Sequence, residues 1–292
     1  MNVFTIIVTY NPNISQLKAC VASLLPQVEK IIIVKNSDER LDDVDFQNAK
    51  IVQVQLDKNY GIAYAQNRGI EFAFAHGADF LLFSDQDTLY PPDFLKKTFT
   101  CFARHMNENV AVVVPVFYNE NKQQFAKVSV TKTKAVCPAI SEDMYLAQAI
   151  SSGSFCSVEV FKIVGMMNER LFIDWVDTEW CWRAKKAGCK IICATNNVIH
   201  HSMGDSFKKV FGRKIVVYSD FRNYFFLRNG IYLLFHSRLL SLKEWISLAK
   251  FMFLKSLLFF LTDHFSVSRI RLFVRAMLKG LTNNFSLEEE IK

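Results

Sequence analysis

The sequence predicts an α/β protein with a Rossmann-like, mainly parallel sheet flanked by helices and a helical C-terminal extension. Three observations support this prediction. Strand-like and helix-like patterns alternate through the first hundred residues, polar side chains follow each predicted strand, and the composition changes after about residue 205. We therefore expect a sheet domain over 1–205 and a basic, apolar, helical region over 206–292.

The first predicted elements follow the order of βαβ units. Apolar runs predict four strands, and helical periodicity predicts two helices among them: strands over 3–10, 30–37, 50–56 and 78–84, and helices over 14–27 and 61–77. The alternation of apolar and polar residues over 50–56 is typical of a half-exposed edge strand. Ligands of parallel sheets bind at the carboxyl ends of strands, so functional side chains should lie just after these runs.

The next hundred residues predict further strands and helices around a polar insertion. Residues 119–145 are polar and irregular, which indicates loops and a hairpin at the rim of the sheet. The other segments predict, in order, an amphipathic helix over 92–106, a strand over 110–117, a strand, turn and helix over 149–165, a helix over 174–188, and a last strand with a His-bearing loop over 190–205.

The positive charge is concentrated in the last third of the chain. Residues 206–292 hold 15 Lys and Arg against 6 Asp and Glu, whereas 1–205 hold 20 against 22. A nucleic acid or the anionic face of a membrane could attract such a region. Residues 241–265 are apolar but carry three lysines, and their longest uncharged stretch is too short to span a bilayer. They predict either an interfacial helix or a helix packed on the core domain.

Cysteine usage and the N-terminus indicate a cytoplasmic protein. The seven cysteines are odd in number, form no C-x-x-C pair and fit no zinc template, so we expect free, buried thiols in a reducing compartment. The first residues show no basic leader and no small-residue cleavage site, as expected of a chain without a signal peptide.

An acid pair follows the fourth predicted strand. Asp85 and Asp87 closely follow the apolar run Phe80–Phe83, and two prolines come soon afterwards. Carboxylates two residues apart at a strand end can bind a hard divalent cation, Mg²⁺ or Mn²⁺, that also contacts substrate phosphates. An isolated pair of this kind also caps turns, so the pair alone leaves both interpretations open.

A second group of acids opens the helix predicted over 174–188. Asp177 and Glu179 stand there beside Trp180. Acids at a helix N-terminus are favoured by the helix dipole, whereas a carboxylate walled by indoles suits proton transfer. His200 and His201 follow the last predicted strand, where either imidazole could complete a metal site.

Two further segments are consistent with binding an activated donor. Gly61 opens a helix after a strand-end Asn59, but the segment is not G-x-G-x-x-G, so dinucleotide binding is not indicated. Arg222 and Arg228 lie among aromatic residues, where they could bind a diphosphate or extend from a packed helix.

Taken in order, these motifs resemble those of the family 2 inverting glycosyltransferases, which have the GT-A fold. The resemblance rests on "VTYNP", "VKNS", "NYGIAYAQNRG", "SDQD", "SSGS", "DWVDTEW" and "HHSMGD" and covers roughly residues 3–230. Through "FSDQDT", "FIDWVDTEWCWRA" and "RNYFFLRN" the chain is most similar to bacterial rhamnosyltransferases of O-antigen and capsule assembly.

The resemblance implies a role for each matching residue. Asp177 would be the general base of a single displacement, and Asn36 departs from the Asp that is frequent at its position. The other implied sites are the nucleotide (Thr9, Tyr10, Asn36), the loop and helix beside the donor (Asn59, Gly61, Asn67), the metal ion (Asp85, Asp87, with Asp87 the direct ligand, and His201) and the acceptor side (Ser152, Gly153, Glu179, Trp180).

The resemblance also implies dTDP-L-rhamnose as the donor, used with a divalent cation. The basic, apolar region over 206–292 fits a glycan acceptor on a polyprenyl diphosphate, and we expect it to attach the protein peripherally to the cytoplasmic face of the inner membrane. Transfer of galactose, glucose or an N-acetylhexosamine from a UDP-sugar is the first alternative. A sugar nucleotidyltransferase would need a Gly-rich phosphate loop near the N-terminus, and the sequence has none there. A nucleic-acid binder would not need the acid pair, the Trp-flanked acids or the histidines, so their presence argues against that class. The oligomeric state stays open.

Overall fold

The computed structural model describes residues 1–38, 41, 46–120, 123–132, 134–138, 142–201, 207–210, 213–216, 219–261 and 266–285. For residues 201, 207–210, 213–216 and 261 it describes the backbone alone. By contact the chain divides into two units. The first unit comprises Met1–Glu169 and Asp177–Met203, and the second comprises Arg170–Val176 and Gly204–Lys292. The sequence places the boundary at residue 205 and does not anticipate that 170–176 joins the second unit.

The first unit contains an alternation of strands and helices. Its strands are β1 (Val3–Thr9), β2 (Lys30–Lys35), β3 (Ile51–Gln55), β4 (Phe80–Ser84), β5 (Val110–Asn119), β6 (Gln124–Phe125), β7 (Val128–Thr131), β8 (Lys134–Val136), β9 (Met144–Leu146), β10 (Phe155–Ser157) and β11 (Lys190–His201). Its helices are α1 (Ile14–Leu24), α2 (Ile62–Ala75), α3 (Phe94–Arg104), α4 (Val160–Val164) and, apart from its first residue, α5 (Val176–Lys186).

Among the described residues, nine strands form one mixed sheet. The order along it is β3-β2-β1-β4-β10-β5-β11-β9, with β6 beside β5. The pairs β3–β2, β2–β1, β1–β4 and β5–β11 are parallel, whereas β10 and β9 run antiparallel to their neighbours. This mainly parallel sheet with helices confirms the predicted fold class, and β3 lies at the edge as its alternating pattern predicts.

Apolar burial explains why these segments form the sheet. The side chains of β1, β2 and β4 are almost all buried, which matches their short continuous apolar runs. α2 approaches β1 closely because Gly69 has no side chain: a Cβ there would lie 2.6 Å from the Ile6 Cγ2. At α1, the Asn13 side chain accepts a hydrogen bond from the Gln16 amide and caps the helix.

The insertion over 119–145 is more ordered than the sequence predicts. β7 and β8 form the expected hairpin, but β6 pairs with the end of β5, and β9 extends the main sheet beside β11. β9 is only three residues long, so β11 determines its strand conformation more than its own sequence does.

The cysteines agree with the expectation of free thiols. All seven lie in the described part of the chain and are free, and Cys137 is the exposed one. Burial raises the pKa of the Cys20 thiol to about 11, as expected of a structural cysteine.

The second unit is mainly helical. It contains the hairpin β12 (Phe207–Val210) and β13 (Arg213–Val216), then α6 (Asp220–Phe235), α7 (Leu242–Leu261) and α8 (Val267–Thr282). The helices pack closely: a Cβ at Gly280 would lie 2.6 Å from the Arg228 carbonyl oxygen. The buried Arg269 guanidinium donates to the Asp220 carboxylate at 2.9 Å. Within the described ranges, we find no helix long and apolar enough to cross a membrane.

Candidate active site

The carboxyl ends of three neighbouring strands form one edge of the sheet. In the register of the parallel pairs, Thr9 of β1 lies beside Lys35 of β2, and Ile7 lies beside Ser84 of β4. The residues that follow these strands therefore meet at this edge. They include Tyr10 and Asp85, as the sequence predicts for a parallel sheet.

Gln86 joins two of the strand ends. The Tyr10 amide donates to the Gln86 Oε1 at 3.0 Å, and the Gln86 Nε2 donates back to the Tyr10 carbonyl at 3.4 Å. The Tyr10 ring remains 50% exposed, which leaves a flat aromatic surface beside the acid pair. The residue type of Gln86 does not predict this role, and its place between Asp85 and Asp87 is the one signal that could indicate it.

Asn36 and Asn59 shape the loop that precedes α2. The Asn36 Nδ2 donates to the Asn59 Oδ1 at 2.9 Å, and the Asn36 Oδ1 accepts from the Tyr60 amide at 2.8 Å. The Gly61 amide donates to the Asn59 Oδ1 at 2.9 Å, and Gly61 has a φ of +87°, which favours glycine. Because Asn36 is buried and bonded within this loop, its position supports a loop-shaping role more than the nucleotide contact that the resemblance implies.

Asn67 and Gln66 connect α2 to two later segments. The Asn67 side chain donates to the Met167 carbonyl at 3.0 Å and to the Glu169 carboxylate at 2.8 Å, and accepts from the Met167 amide at 2.9 Å. Gln66 donates to the Ser151 Oγ at 2.7 Å. Both side chains are buried, so they hold the frame around the site from inside α2.

The acid pair lies on a loop that Ser152 holds in place. The Asp85 amide donates to the Ser152 Oγ at 3.3 Å, and the Thr88 and Ser152 hydroxyls lie 2.9 Å apart in a hydrogen bond. Thr88 and Ser152 are buried, whereas the side chains of Asp85 and Asp87 are exposed. The buried Ser152 hydroxyl thus anchors the loop, and both carboxylates face solvent.

The donor set of this loop fits a hard divalent cation. Exposed carboxylate oxygens are the ligands that Mg²⁺ and Mn²⁺ prefer when they also bind phosphates. The third predicted ligand, His201, is the last residue of β11, and its backbone pairs with Asn119 of β5. Its side chain and the following residues 202–206 lie outside the described part of the chain.

Ser151 holds the carboxylate of Asp177. The Ser151 amide donates to the Asp177 Oδ2 at 3.0 Å. Since Ser152 contacts the acid-pair loop, two consecutive residues connect the Asp85 backbone to the start of α5. The motif "SSGS" does not identify Ser151 as the donor, because a backbone amide donor has no signature in residue type.

Gly153 completes this turn at a position where glycine is needed. Its amide donates to the Phe83 carbonyl at 2.8 Å, its φ is +74°, and a Cβ would lie 2.7 Å from the Pro115 Cγ. We expect Gly153→Ala to lower the free energy of unfolding by about 2–5 kcal/mol, from the left-handed backbone and the steric overlap together. Urea unfolding followed by circular dichroism measures this loss.

The matched control for that substitution is Gly188→Ala. Gly188 has a φ of +83° but nothing within 4 Å of a built Cβ, so it shares the backbone strain of Gly153 and lacks the overlap. Gly188→Ala should lower the free energy of unfolding by about 1–2 kcal/mol. Equal losses in the two variants would show that the Pro115 contact does not constrain the turn.

Glu179 and Trp180 fix the start of α5 from the inside. The buried Glu179 carboxylate accepts from the Arg183 Nε at 2.9 Å, and the Trp180 indole donates to the Gly165 carbonyl at 2.9 Å. Burial raises the pKa of Glu179 although the Arg183 guanidinium opposes this shift. These contacts support a structural role for both residues in place of the acceptor contact that the resemblance implies.

A small apolar cavity of about 20 Å³ lies beside Asp177. Trp180, Cys181, Phe83 and Cys156 are among its lining residues. A cavity of this volume has room for about one water molecule, which excludes it as a sugar site. It instead gives one side of the Asp177 carboxylate an apolar wall.

Comparison with known protein families identifies the family of this chain. The model of the family described as "Glycosyl transferase family 2" matches residues 5–155, just over half of the chain. The chain belongs to glycosyl transferase family 2. The matched residues include both strand-end loops, the acid pair and the Ser151–Gly153 turn, whereas Asp177 follows them.

Curated relatives of this family 2 glycosyltransferase act on sugars. It is 34% identical over 256 residues to "dTDP-rhamnosyl transferase RfbF" of Shigella flexneri, with 83% of the chain and 84% of the relative covered. It is 22% identical over 221 residues to "Low-salt glycan biosynthesis hexosyltransferase Agl10" of Haloferax volcanii, with 72% and 70% covered. The chain is therefore a glycosyltransferase.

Solved structures show the same fold. S. aureus TarS matches with a TM-score of 0.62 at 16% identity, covering 99% of this chain and 50% of that one. GalNAc-T7 with UDP, GalNAc and Mn²⁺ matches with a TM-score of 0.58 at 12% identity, covering 98% of this chain and 58% of that one. The chain thus spans about half of these larger chains, and the likeness confirms the GT-A fold.

The two predicted donor-binding arginines of the glycosyltransferase lie in its second unit. The Arg222 guanidinium donates to the Asp174 carboxylate at 3.0 Å. Arg228 is buried and donates to the Leu171 carbonyl at 3.2 Å and to the Asn229 Oδ1 at 3.0 Å. The burial of Arg228 among carbonyl oxygens supports a packing role and does not support the diphosphate contact that the sequence predicts.

Proposed function

We propose that this glycosyltransferase transfers L-rhamnose from dTDP-L-rhamnose to a glycan on a polyprenyl diphosphate, in O-antigen or capsular polysaccharide synthesis. One observation carries the catalytic part of the proposal. The turn Ser151–Ser152 holds the acid-pair loop through the Ser152 hydroxyl and the Asp177 carboxylate through the Ser151 amide. A donor-side loop and a carboxylate are therefore fixed to the same short segment.

The proposed reaction is a single displacement. The Asp177 carboxylate takes the proton of an acceptor hydroxyl, whose oxygen attacks the anomeric carbon of the donor as the bond to the diphosphate breaks. Attack from the opposite face inverts the anomeric configuration. The Ser151 amide, which donates to the Asp177 Oδ2, would hold the carboxylate in place during this proton transfer.

The donor would lie at the strand ends. The exposed ring of Tyr10 offers a surface for the nucleotide base, and Asp85 and Asp87 would hold the divalent cation. When bound, the cation supplies positive charge against the diphosphate leaving group. Gln86 keeps the Tyr10 ring beside the acid pair through its hydrogen bonds to the amide and the carbonyl of Tyr10.

The preference for rhamnose rests on likeness to the Shigella flexneri rhamnosyl transferase over most of both chains. A panel of dTDP-L-rhamnose, UDP-glucose, UDP-galactose and UDP-N-acetylglucosamine with Mn²⁺ tests it. We expect release of dTDP from dTDP-L-rhamnose to exceed release of UDP by at least about tenfold, which corresponds to roughly 1.4 kcal/mol of transition-state discrimination. Faster release of UDP would replace dTDP-L-rhamnose by a UDP-sugar as the donor and leave the glycosyltransferase class unchanged.

We further propose that the helices of the second unit attach the protein to the cytoplasmic face of the inner membrane. Phe253 is 74% exposed, and other apolar side chains follow it at helical spacing. These exposed stripes comprise Ile246, Phe253, Leu254 and Leu257 on α7 and Ile270, Val274, Leu278 and Leu281 on α8. Basic side chains accompany them, at Lys243, Lys250, Lys255, Arg271, Arg275 and Lys279, and would favour an anionic lipid surface.

Vesicles of phosphatidylglycerol and phosphatidylethanolamine test this attachment. The double variant Phe253→Ser and Leu257→Ser should bind them at least about tenfold more weakly, because each lost side chain removes roughly 1.5–3 kcal/mol of apolar burial. Ile163→Ser, which changes an exposed apolar residue of the first unit, is the matched control. Equal binding by the double variant and the control would contradict the proposed attachment.

A further inference from the structure

A second cluster of metal-ligating side chains lies on residues that the proposed reaction does not use. Cys101 and His105 stand four positions apart on and just after α3, and Asp143 directly precedes β9. Each residue offers one ligand atom, and these three atoms lie within 4.8 Å of one another. They are a thiol sulfur, an imidazole nitrogen and a carboxylate oxygen. Residues 101 and 143 are brought together by the fold, so no spacing pattern in the sequence reveals this cluster.

The imidazole of His105 is oriented as a metal ligand would be. Its Nδ1 lies 2.6 Å from the Glu108 Oε1, and its Nε2 lies 3.1 Å from the Asp143 Oδ2. The Tyr145 hydroxyl donates to the other Glu108 oxygen at 2.6 Å and so fixes that carboxylate. A neutral imidazole has one N–H; when Glu108 accepts it, the Nε2 directs a lone pair toward Asp143. A carboxylate behind a histidine is a frequent support of protein zinc sites.

The spacing and the shelter of the cluster also fit a tetrahedral ion. Two nitrogen or oxygen ligands at 2.0 Å from zinc lie about 3.3 Å apart in a tetrahedron, close to the 3.1 Å between the His105 and Asp143 atoms. Cys101 is buried, and the side chains of His105 and Asp143 are 17% and 10% exposed. The site is therefore shielded from solvent and still open to an entering ion.

We propose that Cys101, His105 and Asp143 bind a zinc ion, with Glu108 orienting the histidine. A thiolate with an imidazole selects zinc over the Mg²⁺ or Mn²⁺ that the exposed carboxylates of Asp85 and Asp87 suit. The ion would join the end of α3 to the segment that precedes β9. It would thus stabilise the insertion between β5 and β10 without taking part in glycosyl transfer.

Arg104 competes with the ion for the same carboxylate. Its Nη2 lies 2.6 Å from the Asp143 Oδ2, and the side chain is 49% exposed, so the guanidinium can turn into solvent when zinc binds. Removing this competitor should strengthen binding. Arg104→Gln is therefore expected to bind zinc at least threefold more tightly than the unsubstituted chain, whereas His105→Gln should lose binding.

Titration of the full chain with Zn²⁺ and with Co²⁺, each in excess Mn²⁺ to fill the acid-pair site, tests the proposal. We expect one high-affinity Zn²⁺ per chain, a rise in unfolding temperature on adding Zn²⁺, and a thiolate-to-Co²⁺ absorption band that Cys101→Ser removes. Cys137→Ser, which removes the exposed cysteine, is the matched control and should keep all three.

The proposal is overturned if Zn²⁺ binding and the unfolding temperature respond equally in His105→Gln and in the unsubstituted chain. Failure of Arg104→Gln to gain affinity would also overturn it, and that variant keeps the test valid if removal of a ligand impairs folding. In either case the cluster would be a hydrogen-bonded bridge among Arg104, His105, Glu108 and Asp143.

Discussion

Substituting asparagine for Asp177 should lower the rate of glycosyl transfer by about a hundred- to ten-thousandfold, the usual contribution of a general base. The substituted amide oxygen can still accept the hydrogen bond that the Ser151 amide donates at 3.0 Å, so the turn and the start of α5 should keep their geometry. An amide does not take a proton from an acceptor hydroxyl at neutral pH. The loss should therefore lie in turnover, with donor affinity within about twofold of the unsubstituted enzyme.

Two measurements separate this loss from misfolding. Single-turnover transfer from dTDP-L-rhamnose gives the chemical step, and calorimetric titration of the donor with Mn²⁺ gives its affinity. Asp93→Asn is the matched control, since Asp93 also stands at a helix start, before α3, and pairs with Lys97. Full activity in Asp177→Asn would remove the general-base assignment, and loss of activity in both variants would point to a general effect of charge.

The sheet could be predicted from the sequence to the extent that its strands are continuously apolar. β1, β2 and β4 are buried on both faces, and their apolar runs are short enough to favour a buried strand over a buried helix. The sequence does not predict β9, because a three-residue strand depends on its partner. It predicts a strand at β10, but nothing in that segment indicates that the strand enters antiparallel between β4 and β5.

The site could be located from the sequence, but its internal bonding could not. Strand ends that carry Tyr10, Asn36 and Asp85 follow from the alternation of elements. The bond from the Ser151 amide to Asp177 joins residues 26 positions apart through a backbone atom, which every residue type except proline could supply. Long-range bonds of this kind depend on tertiary structure alone.

The arginines of α6 illustrate the same limit. The aromatic and basic segment around Arg228 is compatible with a diphosphate site and with a packed helix. Its neighbour decides between them in the structure: the Asn229 side chain accepts from Arg228 and donates to the Leu171 carbonyl at 2.7 Å. Charge and aromatic content therefore predicted a candidate but not its surroundings.

Substituting alanine for Asp87 should remove the metal dependence of donor binding. The exposed carboxylates of Asp85 and Asp87 are the hard oxygen ligands that we propose for the cation. With one of them lost, calorimetric titration of dTDP-L-rhamnose should give the same weak affinity with and without Mn²⁺. Turnover should fall by roughly two to three orders of magnitude, because the cation no longer stabilises the negative charge on the leaving diphosphate.

Gln86→Ala is the control that distinguishes the charge from the shape of the loop. It removes both hydrogen bonds to Tyr10 but keeps the two carboxylates, so donor affinity should fall while its dependence on Mn²⁺ remains. Asp87→Asn should resemble Asp87→Ala, since it keeps the shape and removes the charge. If Asp87→Ala still bound the donor more tightly with Mn²⁺, the cation would have to be held elsewhere. The acid pair would then act as the turn cap that its sequence alone also permits.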